Sequence, residues 1–498
     1  MEIKYKSTRD NKLNIKSSDA ILKGLSDDGG LFFPGNLKDI KIDIEKIKDF
    51  SYKELAVEIL SIFFSDFSTD EIIYSVNNAY DKKFDAKEIV PVKYIDGYNI
   101  LELFHGKTLA FKDIALSILP YLMKLSKEKH NIRENILILT ATSGDTGKAA
   151  LEGFKDVEEI NIAVFYPDGG VSNIQELQMK TQEGDNAYIF GVKGNFDDVQ
   201  NTVKKIFKSE EIKKKLAKKN TVLSSANSIN IGRLIPQVVY YFSAYFDLIK
   251  NKKITESEKI NFVVPTGNFG NILAGYIAKE IGLPINKLIC ASNENNILTD
   301  FFNTGKYNTN RKFIKTISPS MDILISSNLE RLLFFLSDGD SNYIKKIMKD
   351  LSTDGKYEVN ERIKQKMDNI FWSDYSLEKE ILKSIKDLYN EKEYLVDTHT
   401  AVAFNVYDKY KNMTGDTTTS IILSTASPFK FIESIYDALG IKEEIEGKEL
   451  LLDFGKRFDI EIPKGLKEIM NKPYIHNKVI EIEEVKKEIF KISEEEDI

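Results

Sequence analysis

The residues in this chain best suited to chemistry gather around one lysine. In the stretch LFHGKTLAFKDIAL (residues 103–116), Lys112 sits between Phe111 and Asp113 in a largely apolar run. A buried lysine is costly unless its charge is paired or lost. The same burial lowers its pKa, which is what an amine needs to form a Schiff base. Three polar loops offer partners. PTGNFGN (residues 265–271) follows an apolar run and precedes a helical pattern. Its glycines let backbone approach an anion at a helix N-terminus, although a plain tight turn explains it equally well. ATSGDTGKAA (residues 141–150) has the same layout and could hold a carboxylate. Alone it reads slightly better as capping chemistry, with Asp145 or Thr146 as N-cap. SSANSINIGR (residues 224–233) ends in Arg233, a side chain shaped for phosphate, though a single arginine is usually a surface group.

None of the loops is a Walker motif or a dinucleotide fingerprint. The four histidines are scattered, and His399 in DTHTAV reads as structural, so no metal site is expected. Two anion-holding loops and a lysine in an apolar setting form one constellation. It suits an amino acid held as an aldimine to a phosphate-bearing aldehyde, which is pyridoxal phosphate chemistry.

These residues need a scaffold, and the pattern of elements supplies one. Short buried strands are expected at residues 136–139, 160–165, 187–190, 221–224, 261–264, 288–291 and 421–423, alternating with helices. That alternation predicts an α/β fold with a mostly parallel sheet, whose ligands gather where strand ends meet loops. Residues 1–90 read as a unit of their own. Residues 91–320 form the α/β core, with a smaller substrate-binding part at about 130–230. Residues 321–394 read as a mainly helical insertion without a good strand, and 395–498 complete the core and end in a solvated helix and tail. Residues 196–216 are expected to form one amphipathic helix. The 498 residues, 42% hydrophobic and 30% charged, are ample for such a core. A net charge of −7 gives no footprint for nucleic acid, and no apolar run reads as a membrane span. One cysteine, Cys290, and a polar N-terminus without an apolar leader point to the reducing cytoplasm.

With the stretches GLSDDGGLFFP, LELFHGKTLAFKD, ATSGDTGKAA, SSANSINIGR, VPTGNFGNILAGYIAK, SPSMDILISSNLERLL, DTHTAV and LSTASPFKF in this order, the chain resembles the threonine synthases. These are pyridoxal-phosphate enzymes of the tryptophan-synthase-β-like fold (fold type II), and the likeness is to their long bacterial and fungal branch. The resemblance implies two open parallel or mixed sheets with helices on both faces. It implies that Lys112 carries the cofactor as an internal aldimine. Gly267, Asn268, Phe269, Gly270 and Asn271 match the cofactor-phosphate loop, and Thr425 matches the partner of the ring nitrogen. Thr142, Ser143, Gly144, Asp145 and Thr146 match the loop for the substrate carboxylate, with Asp145 near the cofactor O3′. Ser228, Asn230 and Arg233 match the segment expected at the substrate phosphate. The implied reaction converts O-phospho-L-homoserine and water to L-threonine and phosphate. The implied partner is that small molecule alone, with a monomer or small homo-oligomer as the state.

The chain departs from the family pattern at Lys107, Lys148, Ser427 and Phe429, where proline, glycine or serine, histidine and alanine are usual. These departures are expected at the pocket rim. Another lyase of this fold, such as a serine/threonine dehydratase or a phospholyase, is the nearest alternative reading. A binding protein that keeps the cofactor without activity, or a nicotinamide dehydrogenase, fits the residues less well.

Overall fold

The computed structural model describes residues 2–142 and 144–494. Two sheets organise it. The larger has six strands in the order Phe371–Tyr375, Ile285–Ser292, Ile260–Pro265, Ser420–Ser424, Tyr98–Glu102 and Val92–Ile95. All neighbours are parallel except the edge pair Val92–Ile95 and Tyr98–Glu102. The smaller sheet is fully parallel, in the order Val479–Ile480, Ala187–Val192, Ile160–Pro167, Asn135–Ala141 and Thr221–Ser224. Every strand expected from the sequence is present. The fold is the two-sheet α/β architecture expected for fold type II.

Period-two alternation explains why helices cover both faces of the small sheet. Ile136 and Ile138 pack into the main core with the helix Asp145–Phe154. Leu137 and Leu139 face the other way, against Val199, Val203 and Ile206 of the helix Phe196–Lys208. That helix ends at Ser209, which caps a second one, Glu210–Ala217, by accepting from the Ile212 N–H. One expected helix is therefore two, because a serine in extended conformation restarts the turn.

Residues 1–90 pack on the rest of the fold: Tyr5, Phe32, Leu55 and Ile59 share one continuous cluster with Tyr241, Phe262 and Ile272. Two further expectations are corrected. The insertion is not without strands. Phe371–Tyr375 extends the large sheet, and Lys356–Glu358 pairs with Lys306–Asn308. Both are short, and the first, Phe-Trp-Ser-Asp-Tyr at a sheet edge, has neither a continuous apolar run nor a period-two alternation, a weak signal in sequence. The C-terminal segment returns to the small sheet, where Val485, Ile489 and Ile492 are buried. No described helix is long and apolar enough to cross a membrane.

Candidate active site

The loop carrying Lys112 is zipped to the end of a neighbouring strand. The Leu103 N–H donates to Ser424 O, Phe111 N–H to Thr425 O, and Ser427 N–H to Leu109 O, at 2.9, 2.9 and 3.0 Å. This register sets Thr425 beside Lys112. The loop is closed from the other side by Asp113, whose carboxylate accepts from the Thr108 N–H at 2.8 Å and hydroxyl at 2.5 Å. Asp113 is thus a clamp on the loop rather than a helix cap. Burial raises its carboxyl to about 6, and the Thr108 bonds pull against that rise.

Lys112 begins the helix Lys112–Leu116 and is only 7% exposed. Its Nζ lies 3.0 Å from Asp145 Oδ2 and 3.1 Å from Ser320 Oγ, with the Phe111 ring 5.5 Å away. Asp145 opens the helix Asp145–Phe154 and is held by more than Lys112. Its Oδ1 accepts from Gln175 Nε2 at 2.8 Å and pairs with Lys430 Nζ at 2.7 Å. Burial drives the Lys112 amine below its ordinary value. Asp145 pulls it up, while Lys430 and Arg233 push it further down. Burial would raise the Asp145 carboxyl, but Lys112 and Lys430 hold it well below the usual carboxylate range. Burial sets the direction for the amine, and the surplus of cations around one anion sets it for the carboxylate.

Gly144 N–H and Gly147 N–H both donate to Thr142 Oγ1, at 3.0 and 2.9 Å, closing this loop onto its helix. Gly144 has φ +130°, and a Cβ there would lie 2.4 Å from Gln175. Only glycine lets Gln175 reach Asp145. Thr142 and Thr146 line the cavity; Ser143 lies outside the described residues.

The loop PTGNFGN runs into the helix Gly270–Glu280. Phe269 is left-handed (φ 61°), an uncommon backbone for a bulky residue. Its ring stacks on Phe302 at 5.8 Å and contacts Phe371 at 5.9 Å, which holds that conformation. Gly267 permits a close approach, since a Cβ there would lie 2.6 Å from Ser320 O. Asn268 O accepts from Asn328 N–H and Nδ2, fixing the turn. Asn271 Oδ1 takes the hydroxyls of Tyr240 and Tyr241 at 2.6 and 2.9 Å. Its Nδ2 is a buried donor with no protein partner at the start of this helix.

Across the cavity, Arg233 is 4% exposed, and among the described residues its guanidinium donates only to Ala226 O, at 3.0 Å. Desolvation lowers it to about 10, with no carboxylate offsetting that burial. Ser228 lines the same cavity, its Oγ 3.4 Å from Ser327 Oγ. Asn230 does not line it. Its amide is spent on Ile21 O, Ser225 O and the Gly232 N–H, so it shapes the turn that delivers Arg233. Lys112, Thr142, Thr146, Ser228, Arg233, the residues Gly267–Asn271 and Thr425 thus surround one cavity of about 590 Å³.

None of the four departures from the family pattern lines this cavity, so their expected place at the rim is corrected. Ser427 accepts from the Phe429 N–H, and Phe429 packs edge-on against Phe454, away from the site. Lys107 and Lys148 meet on one carboxylate: Glu152 lies 3.4 Å from Lys107 Nζ and 3.6 Å from Lys148 Nζ. The two lysines are therefore one joint feature. Sequence reasoning missed Gln175, Ser320 and Lys430 and read His399 as structural, although it lines the cavity.

The residues fit pyridoxal phosphate. Lys112 offers an amine, the unpaired Asn271 Nδ2 and the Gly270–Glu280 helix start offer a phosphate seat, and Thr425 offers a ring partner. Fold and site together define a fold type II architecture of the pyridoxal-phosphate enzymes. A solved structure described as PLP-bound threonine synthase from Brucella melitensis superposes with a TM-score of 0.86 at 33% identity, covering 99% of this chain and all of that one. Two family models match, "Threonine synthase N terminus" over residues 4–80 and "Threonine synthase, C-terminal" over residues 400–489. The threonine synthase of Schizosaccharomyces pombe is 37% identical in an alignment 469 positions long that covers 88% of this chain and 90% of that protein. The chain belongs to the threonine synthase family. Human threonine synthase-like 1 is 40% identical over 86% of this chain, and the match spans 58% of that relative's length.

Proposed function

We propose that this protein is a threonine synthase that uses pyridoxal phosphate to convert O-phospho-L-homoserine and water into L-threonine and phosphate. The observation that carries the reading is Arg233: a buried arginine without a carboxylate, facing the same cavity as the Lys112 amine. The cavity offers two separate seats for anions. One is the Gly267–Asn271 loop for the cofactor phosphate; the other is Arg233 with Ser228 for the substrate phosphate.

When bound, the cofactor supplies an aldehyde that condenses with amines and a ring that takes up the electron pair left at the substrate Cα. The chain does the rest. Lys112, its pKa lowered by burial, is available as a neutral base for the Cα proton and as an acid that returns a proton. Asp145 stays ionised and is anchored by Gln175 and Lys430, so it steers the amine without competing for its proton. Thr142 and Thr146, with the helix start at Asp145, receive the substrate carboxylate. Thr425 is a neutral ring partner, which leaves the ring nitrogen without an enforced proton. Arg233 holds the phosphate as it leaves and offsets its growing charge.

The same reading places the protein in the cytoplasm as a monomer or small homo-oligomer. The lone thiol, Cys290, is buried and raised to about 12 by desolvation, so it asks for no disulfide. The test is a phosphate-release assay with product analysis. Threonine in step with phosphate supports the synthase; 2-oxobutyrate instead makes the protein a lyase of this fold.

A further inference from the structure

Ser320 lies at the centre of the site, in a segment far along the chain from every glycine-rich loop. Its Oγ is 3.1 Å from Lys112 Nζ and 3.2 Å from Asp145 Oδ2, closing a triangle with the 3.0 Å Lys112–Asp145 pair. Its backbone N–H donates to His399 Nε2 at 3.1 Å. That bond places the ring proton of His399 on Nδ1, which faces Asp397 Oδ2 at 2.8 Å. Asp397 is fully buried and caps the helix Thr398–Thr414, accepting from the His399 and Thr400 N–H groups. The ring of His399 rests against Phe431, with centroids 4.9 Å apart. From the other side, Gly267 lacks the Cβ that would meet Ser320 O at 2.6 Å. Two independent devices thus hold this serine at the reacting amine.

We propose that Ser320 is a further catalytic residue, the hydroxyl that orients the Lys112 amine, with His399 and Asp397 as positioning residues that present it. The proposal rests on the threonine synthase reading. Its logic is the hydrogen-bond capacity of the two partners. An ionised Asp145 only accepts, so it favours the ammonium form of Lys112. The Ser320 oxygen accepts an N–H from the ammonium and the neutral amine alike, while its own proton goes to Asp145 Oδ2, so it orients the amine in both forms and leaves the lone pair free. In proton abstraction the Cα–H bond breaks and an N–H bond forms on Lys112; the electron pair left behind is what the cofactor, when bound, would take up. The proton stays on Lys112; Ser320 sets the direction of the lone pair that takes it.

The test is exchange of the Cα proton with deuterium from solvent, using L-homoserine, which has no phosphate to lose. It is measured on cofactor-loaded protein together with the visible absorbance of the cofactor. Ser320→Ala should slow exchange about tenfold or more, the loss of one hydrogen bond to a charged group, with absorbance and homoserine affinity unchanged. His399→Gln should slow it less, because an amide oxygen can still accept from the Ser320 N–H. Nitrogen NMR of the apoprotein should show the His399 proton on Nδ1. Exchange at the parent rate in Ser320→Ala, while Lys112→Ala exchanges nothing, overturns the proposal and leaves the functional reading standing. Loss of cofactor absorbance in Ser320→Ala also overturns it, since the serine would then belong to cofactor binding. Normal exchange in Lys112→Ala would bring down the functional reading itself.

Discussion

Single side chains in this site are intelligible through what they lack as much as through what they touch. Arg233 is buried with one carbonyl for company, and Asn271 keeps a buried amide donor unpaired. Buried polar groups are normally satisfied, and the proposed function seats its two anions at these two residues. Removing a buried, hydrogen-bonded charge of this kind costs roughly 2–5 kcal/mol of binding. Arg233→Ala should therefore raise the KM for phosphohomoserine by at least tenfold while the cofactor absorbance stays intact. A lost absorbance would move Arg233 to the cofactor instead. Lys112 stood out in the sequence by its apolar setting, whereas Asp145 and Thr425 drew their expected roles from the family resemblance alone. Gln175, Ser320 and Lys430 were not legible, because their roles come from approaches across the fold. Lys430 reaches Asp145 over 285 residues of chain, and nothing local to SPFKF shows that.

At the scale of elements, the helix Asp145–Phe154 joins the site to a charge cluster around Glu152. Its Glu152 serves Lys107 from the catalytic loop and Lys148 from its own turn. Lys107 also reaches Glu468 at 3.8 Å, in the helix Lys464–Ile469. Burial pushes Lys148 down to about 8, with Glu152 pulling the other way. Below pH 8 both the folded and unfolded forms carry its proton, and the cost of burying the charge is fully felt. Between about 8 and the ordinary 10.5 the unfolded chain binds more protons, so stability from this group rises with pH. The integrated effect is on the order of 3 kcal/mol. Lys148→Met should flatten that rise, as read by urea unfolding across the window. A second element-scale prediction concerns Gly267→Ala. Its Cβ would meet Ser320 O at 2.6 Å, and relieving such an overlap costs about 1–3 kcal/mol. Cofactor affinity should fall correspondingly in an absorbance titration. Strands buried on both faces were readable as short apolar runs. The edge strand Phe371–Tyr375 and the returning strand Val479–Ile480 were not, because a two- to five-residue edge carries little pattern.

For the whole molecule, the two sheets and the N-terminal segment share one buried cluster, so the site is assembled from distant parts of one folded body. Arg331 shows how the parts are tied. It is fully buried and donates to Phe32 O at 2.8 Å, to Asn328 Oδ1 and to Ile229 O. It thereby joins the N-terminal segment, the turn before Arg233 and the residue that braces Asn268. Arg331→Leu leaves three acceptors without their donor, so the thermal midpoint should drop by several degrees, with a stability loss of about 3–5 kcal/mol. An unchanged midpoint would mean that the N-terminal segment docks independently of this arginine. The central claim is that the assembled cavity adds water to Cβ after phosphate leaves. Its most direct test is to load the purified protein with pyridoxal phosphate and supply O-phospho-L-homoserine in heavy-oxygen water. The account predicts one L-threonine for each phosphate, with the label in the β-hydroxyl, and no turnover in Lys112→Ala. Phosphate release with 2-oxobutyrate and no threonine would contradict it.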